Sequence, residues 1–414
     1  MIKKTLKLML LILLISKNHC EDHPYVPEKK LKILFVLHEF PKFIQQFILN
    51  QITGLHDLGH DIYIYANKKV KGPIPPDIAR YNLMERTFYK TVPKNQQDFD
   101  IIYCHFGPDG YCGLYLKKYY GLTGKVVTCF RGDDISKLLR SHPNNKTSKK
   151  RGIFSVPCYS PTMYDELFSQ GDHFLPVCDY FRKKLLTLGC NKNTITVQHS
   201  GINTANFSYK KRRHKKKNEK LSIVTIGRLV EKKGIKYAIR AIARLIPSYP
   251  KLTYTIIGNG PLYKKLDLLI KRLGLEKQII LKGWLSQEDI KDYLYSADIF
   301  VLPAITAQDG DEEGISNVLK EAMATGLPVV TTRHSGIPEL VKNNNSGYIV
   351  KEKSIAELGN KIEKLLKNPS KCISMGASGR SFVEKNFETS TLIIELSKLF
   401  EKLANTDIDD TKSI

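Results

Sequence analysis

Residues 312–330 read EEGISNVLKEAMATGLPVV. Upstream lie an apolar run, IFVLP (299–303), and an acidic loop, ITAQDGDE (305–312). The apolar runs at 299–303 and 327–330 are too short for buried helices and have the length of buried strands. Between them Gly314 marks a loop-to-helix junction, Ser316 is a candidate N-cap, and Glu321 falls on the second helical turn. A strand, a helix and a second strand in this order form a βαβ unit, and such units build parallel sheets.

The same rhythm extends in both directions. Towards the N-terminus, LKILFVLHEF (31–40) is a buried strand, FIQQFILNQITGLHDLG (43–59) is amphipathic, and HDIYIYA (60–66) returns as a strand. Further strands are expected at FDIIYCHF (99–106), GKVVTCF (124–130), HFLPV (173–177) and NTITVQHSG (193–201). The stretch SYKKRRHKKKNEK (208–220) then breaks the pattern with a basic run that offers no core-forming residue. Strands resume at LSIVTIG (221–227), LTYTIIG (252–258), QIILKG (278–283), ADIFVLPA (297–304), LPVVTT (327–332) and SGYIV (346–350). The expectation is therefore an α/β protein with two doubly wound, Rossmann-like parallel sheets facing across a cleft. Residues 31–207 form the first domain, 208–220 the linker and 221–390 the second domain. Residues 391–414 supply a terminal helix, within TSTLIIELSKLFEKLA (389–404), that docks back on the first domain.

A length of 414 residues accommodates two such domains, and 42% hydrophobic with 26% charged residues is a globular composition. The net charge of +24 favours phosphate-bearing ligands or an anionic membrane face. Nucleic acid is not expected as a partner, because no motif for it accompanies the scattered lysines. The cysteines at 20, 104, 112, 129, 158, 178, 190 and 372 include no C-x-x-C pair, so reduced, buried thiols are expected. Residues 1–30 are a signal-like or anchor extension, with an apolar run from Leu8 to Ile15 that is too short to span a bilayer. An export signal, an interfacial anchor and an inert extension all remain open for it.

Chemistry concentrates at strand ends. Glu313 and Glu321 lie eight residues apart, about 12 Å along a helix, and straddle a helix N-terminus whose free N–H groups suit a pyrophosphate. Carboxylates bind paired hydroxyls, so each glutamate is placed to hold a sugar ring on either side of that anion. In IGRLVEKKG (226–234), Arg228 and Lys233 follow a strand end and are placed to neutralise a diphosphate. Asp309-Gly310-Asp311 mimics a D-x-D metal motif, but with two cations available for the diphosphate the loop reads as solvated or acceptor-facing, and no metal is expected. His105 ends a strand in HFGPDG (105–110), whereas His199 and His334 read more readily as structural, and Trp284, a type more often packed than stacked on a base, is left unassigned.

IGRLVEKKG, IIGNGPL, LKGWL, ADIFVLPA, EEGISNVLKEAMATGLPVV and SGIPELV, in that order, resemble the C-terminal domain of GT-B-fold retaining glycosyltransferases of family 4. FPKFIQQFILNQITGL, HFGPDG, FRGDD and SGIN resemble the narrower colanic acid and amylovoran exopolysaccharide branch, and the likeness runs from about Leu31 to Leu403. The resemblance implies catalytic roles for Glu313, His105 and Arg131. It implies donor binding by Arg228, Lys233, Glu321 and the backbone at Gly314 and Ile315, with Gly258, Gly260 and Lys282 at the nucleobase. It further implies a UDP- or GDP-sugar donor as co-substrate, no cofactor, a saccharide or lipid-linked saccharide acceptor, and a cytoplasmic enzyme at the inner membrane face. Arg131 stands where many relatives carry His, Asn203 where Asp is common and Ala304 where Ser is common. A non-catalytic or exported carbohydrate- or nucleotide-binding protein, or another GT-B enzyme such as an epimerase, is the alternative.

Overall fold

A computed structural model describes residues 25–41, 46–72, 74–137, 163–213 and 219–406. The leader-like run lies outside these residues. The first sheet contains β1 (Lys32–Phe40), β2 (Asp61–Lys69), β3 (Thr87–Tyr89), β4 (Ile101–His105), β5 (Lys125–Phe130) and β6 (His173–Pro176) in the order β3-β2-β1-β4-β5-β6. The second contains β7 (Leu221–Ile226), β8 (Leu252–Ile257), β9 (Ile279–Gly283), β10 (Ile299–Leu302), β11 (Val329–Thr332) and β12 (Gly347–Val350) in the order β12-β11-β10-β7-β8-β9. Every pairing is parallel, and both sheets have the same doubly wound order. Winding reverses between β1 and β4, and again between β7 and β10. The crevice beyond those strand ends is where such sheets bind ligands.

The helices used below are α1 (Gln46–Asp57), α2 (Gly107–Tyr120), α3 (Asp179–Thr187), α4 (Ile235–Ala243), α5 (Gln287–Ser296), α6 (Asn317–Ala324), α7 (Pro369–Phe387) and α8 (Thr389–Asn405). Helices cover both faces of each sheet, which is why β4 and β10 are buried along their whole length. Segment 193–201 differs from expectation. Lys192–Thr194 forms a single 3₁₀ turn and Ile195 makes one isolated bridge to Phe174. The Thr196 and Gln198 amides donate to the Phe174 and Pro176 carbonyls, so the segment borders β6 without forming a full strand, while the buried Gln198 side chain donates to the Leu392 carbonyl of α8.

The terminal helix does return to the first sheet. Leu396 and Phe400 join the core of the first half, and the Phe400 ring meets Tyr103 edge-on at 5.0 Å. Gly54 of α1 permits this approach, since a Cβ there would lie 2.2 Å from Ile393 Cδ1. At the other end of α8, Glu401 accepts hydrogen bonds from the Tyr25 hydroxyl and the Glu28 amide.

The basic linker contains a buried residue, contrary to the sequence expectation. Arg212 is 8% exposed and donates to the carbonyls of Leu294, Tyr295 and Ala297 at the end of α5 and of Thr325 and Gly326 at the end of α6. Five planar N–H groups suit this task because two helix C-termini converge there with carbonyls that lack intrahelical partners and with negative dipole ends. Burial pulls the guanidinium down to about 10. Arg212→Leu is expected to cost about 3 kcal/mol by stranding those carbonyls. Urea unfolding measures this, and an unchanged midpoint would show that the carbonyls find other donors.

Candidate active site

The end of β7 is shaped by glycines. Gly234 has φ +63°, and a Cβ there would meet the Pro303 carbonyl oxygen at 1.9 Å, so only glycine lets the turn before α4 lie against the end of β10. A Cβ on Gly258 would fall 2.0 Å from the Gly227 oxygen, and one on Gly260 2.6 Å from the Leu229 oxygen. These two glycines therefore lie directly beneath the loop that carries Arg228. That residue is exposed, with no ion pair or side-chain hydrogen bond among the described residues. Lys282 is also exposed, beside Gly283, whose carbonyl accepts the Gly258 amide.

Lys233 is 8% exposed and binds Glu313 Oε1 at 2.8 Å. Lys232 binds Asp311 at 2.9 Å and lies 3.9 Å from Glu313 Oε2. Burial alone would raise the Glu313 carboxyl, but the two lysines outweigh it and hold the group at about 2. The Glu313 amide donates to His334 Nε2 at 2.9 Å, so the His334 proton sits on Nδ1, 2.6 Å from Glu352. His334 thus fixes the backbone of the Glu313 loop, a role that its sequence position did not reveal. Asp309 pairs with Lys137 at 2.7 Å, so a lysine holds each carboxylate of the D-x-D-like loop.

The Glu321 side chain projects from α6 with no hydrogen bond or ion pair among the described residues. Burial pushes its carboxyl up to about 7, an effect that neighbouring Lys320 partly offsets. Ser316 occupies the N-cap position of α6 as expected, but without a side-chain capping bond. That leaves the first amides of the helix to backbone groups or ligand.

The first half reaches this site from the ends of β4 and β5. His105 is fully buried, stacks on Phe35 at 5.6 Å, and accepts a hydrogen bond on Nδ1 from Arg131 Nη2 at 3.2 Å. A guanidinium only donates, so Nε2 carries the proton, and it has no partner among the described residues. Burial and the Arg131 charge hold His105 well below the usual imidazole range, so the ring is neutral. Arg131 also donates to Ser200 Oγ at 2.7 Å and Gln51 Oε1 at 3.0 Å, and lies over the Phe47 ring. Asp134 shapes the turn by accepting the amides of Arg131, Gly132 and Gly107, the last opening α2.

The two halves meet here. A Cβ on Gly314 would lie 3.2 Å from the Arg131 carbonyl oxygen, which places the Glu313–Ile315 loop directly on the Arg131 turn. Buried Glu312 accepts from the Tyr180 hydroxyl at 3.1 Å and from Lys184 of α3. Glu339, from SGIPELV, accepts the amides of Asp179 and Tyr180 and so caps α3 from the opposite half. Sequence inspection missed Glu312, Glu339 and Lys320 because their partners lie more than a hundred residues away. The available signal was α6 itself, whose largely apolar sequence marks a helix enclosed on most sides. His199 hydrogen-bonds the Val177 carbonyl and packs on Phe387, as a structural histidine would, whereas Trp284 is 70% exposed.

Residues 207–382 match the family described as glycosyl transferases group 1. The chain is 32% identical over 433 residues to the amylovoran biosynthesis glycosyltransferase AmsK of Erwinia amylovora, spanning 90% of this chain and 100% of that one. Among solved structures, Anabaena Alr3699/HepE in complex with UDP-glucose is similar with a TM-score of 0.68 at 17% identity, covering 90% of this chain and 100% of HepE. A glycosyltransferase from Rickettsia africae ESF-5 gives a TM-score of 0.70 at 17% identity, covering 92% and 100%. Two doubly wound sheets with one cleft between their carboxyl edges define the GT-B architecture. By its extended identity with AmsK, the chain belongs to the group 1 glycosyltransferases.

Proposed function

We propose that the protein transfers a sugar from a UDP- or GDP-sugar to a saccharide or lipid-linked saccharide acceptor during surface or exopolysaccharide assembly, with retention of configuration and without a metal. The observation that carries this reading is the grouping at one switch point of Arg228, the Lys233–Glu313 pair and the Glu321 carboxylate, with Arg228 and Glu321 unpaired among the described residues. In the proposed complex Glu321 accepts the ribose hydroxyls. Lys233 turns from Glu313 to the diphosphate and joins Arg228 there, which frees the ionised Glu313 to accept hydroxyls of the transferred sugar. The bond from the anomeric carbon to phosphate oxygen breaks, and the acceptor oxygen bonds to that carbon on the same face. The acceptor proton passes to the departing diphosphate. Neutral His105 and cationic Arg131 close the first-half side, where charge builds on the leaving group.

AmsK, by its name, acts in amylovoran biosynthesis, and the HepE structure holds UDP-glucose, both of which support this class of donor and pathway. Among the described residues no helix is long and apolar enough to cross a membrane. The net charge of +24 supports peripheral attachment at an anionic inner membrane face. The test is thermal stabilisation by UDP, GDP and their sugars in the presence of a chelator, followed by NMR assignment of the product anomer. Stabilisation by one nucleotide and a retained anomer are expected. Strict dependence on added magnesium, or an inverted product, would overturn the mechanism.

A further inference from the structure

Lys320 is fully buried in α6, immediately before Glu321. Its ammonium donates to the backbone carbonyl of Ser200 and lies 5.4 Å over the Phe387 ring. Ser200 belongs to the segment leaving the first sheet, and its hydroxyl is held at the same time by Arg131 Nη1 at 2.7 Å. One residue is therefore gripped by a cation from each half of the molecule. Among the described residues no carboxylate forms an ion pair with Lys320. The charged groups facing it are Glu321 on its own helix, Arg131 after β5 and Glu313 in the loop before α6. A buried, unpaired ammonium is costly, and methionine or leucine would fill similar space without that cost. The position is explained if the contact to Ser200 serves the site.

We propose that Lys320 is a positioning residue that ties the donor-binding helix to the Ser200 segment, so that joining of the two halves and the placement of Glu313 and Glu321 opposite Arg131 are one event. The inference rests on the reading of this cleft as a nucleotide-sugar site. Geometry supports it twice over. Lys320 and Glu321 are consecutive on one helix, so a shift that breaks the Ser200 contact also moves the Glu321 carboxylate. Arg131 and Lys320 share Ser200, so the same shift releases the second grip on the Arg131 side. Burial pulls the Lys320 ammonium down to about 7 from an ordinary 10.5. An opened cleft would return it towards the ordinary value, so the joined state binds fewer protons, and joining strengthens as pH rises above 7.

The test compares wild type with Lys320→Met and Lys320→Arg by small-angle X-ray scattering without ligand at about pH 6.5 and about pH 9. It is accompanied by calorimetry with UDP and GDP, and by donor turnover. Wild type is expected to become more compact at the higher pH, where the neutral amine still donates to the Ser200 carbonyl, and Lys320→Met to lose most of that pH dependence and to be more extended than wild type at about pH 9. Nucleotide affinity of the Met variant should stay within about threefold, because Arg228, Lys233 and Glu321 all lie on the second half. Its kcat should fall by about thirtyfold or more through misplacement across the cleft. Lys320→Arg, which keeps a donor for the Ser200 carbonyl, should recover part of that loss. A Met variant with wild-type scattering and kcat, or one that only melts earlier, would overturn the proposal. Should wild type bind neither UDP nor GDP, the functional reading fails instead, and the scattering comparison still decides the role of Lys320.

Discussion

Glu321→Ala is expected to lower affinity for the nucleotide diphosphate by about a hundredfold or more, the loss of two charge-assisted hydrogen bonds to a ribose diol. Glu321→Gln keeps one neutral acceptor and should lose about tenfold. The same Gln variant should be more stable than wild type at pH 8. Burial raises the folded-state carboxyl from 4.5 to about 7. Stability tied to this group is therefore fully present below 4.5 and lost as pH rises through 7. Above that window the ionised carboxylate costs about 3 kcal/mol, which glutamine removes. Wild-type affinity should also climb from about pH 5.5 to about pH 8 as the accepting carboxylate forms, with a flat profile in the Gln variant. Calorimetry across pH with melting curves at pH 8 decides both halves. Unchanged affinity in the Ala variant would place the ribose elsewhere.

Substitution of Glu313 should act in the opposite sense on stability. In Glu313→Gln, sugar transfer is expected to fall by about a thousandfold, since a charged contact realised at the reacting sugar is lost. Nucleotide diphosphate affinity should hold or improve, because Lys233 no longer has a competing carboxylate. The folded-state carboxyl lies at about 2 against an ordinary 4.5, so its contribution is present above 4.5 and lost as pH falls through 2. The variant should therefore be less stable than wild type by about 3 kcal/mol at neutral pH and should lose that part of the acid dependence. Denaturant titrations at several pH values test this. Loss of nucleotide binding together with transfer would show that Glu313 serves the phosphate side instead.

The protein repeats one solution twice, and much of it is legible in the chain. Apolar runs of strand length alternating with amphipathic segments locate eleven of the twelve described strands, since parallel strands buried on both faces cannot hide among polar residues. β3 escaped because Thr87–Tyr89 is a three-residue edge strand of only intermediate burial. Segment 193–201 has the alternation of an edge strand and does border β6, but it opens in a 3₁₀ turn and keeps only one parallel bridge, so it stops short of a strand. Arg212 was hidden in a run of charges that composition alone treats as solvated.

At the site the division is similar. Arg228, Lys233, Glu313 and Glu321 follow strands or open helices within short stretches, so local order along the chain was enough to single them out. Gly258 and Gly260 were marked by the family resemblance alone, and the tight backbone contacts at these positions and at Gly234 supply the reason for glycine. Only the assembled structure decided which charges are spent on each other. Lys233 is paired with Glu313, whereas the Glu321 carboxylate has no partner among the described residues. Only the assembled structure, too, placed Glu339 at the head of α3, Glu312 against Lys184, and Lys320 on the Ser200 carbonyl. Burial and pairing depend on elements far apart in sequence. They set the protonation of Glu313, Glu321, Lys320 and His105, and no local pattern carries that information.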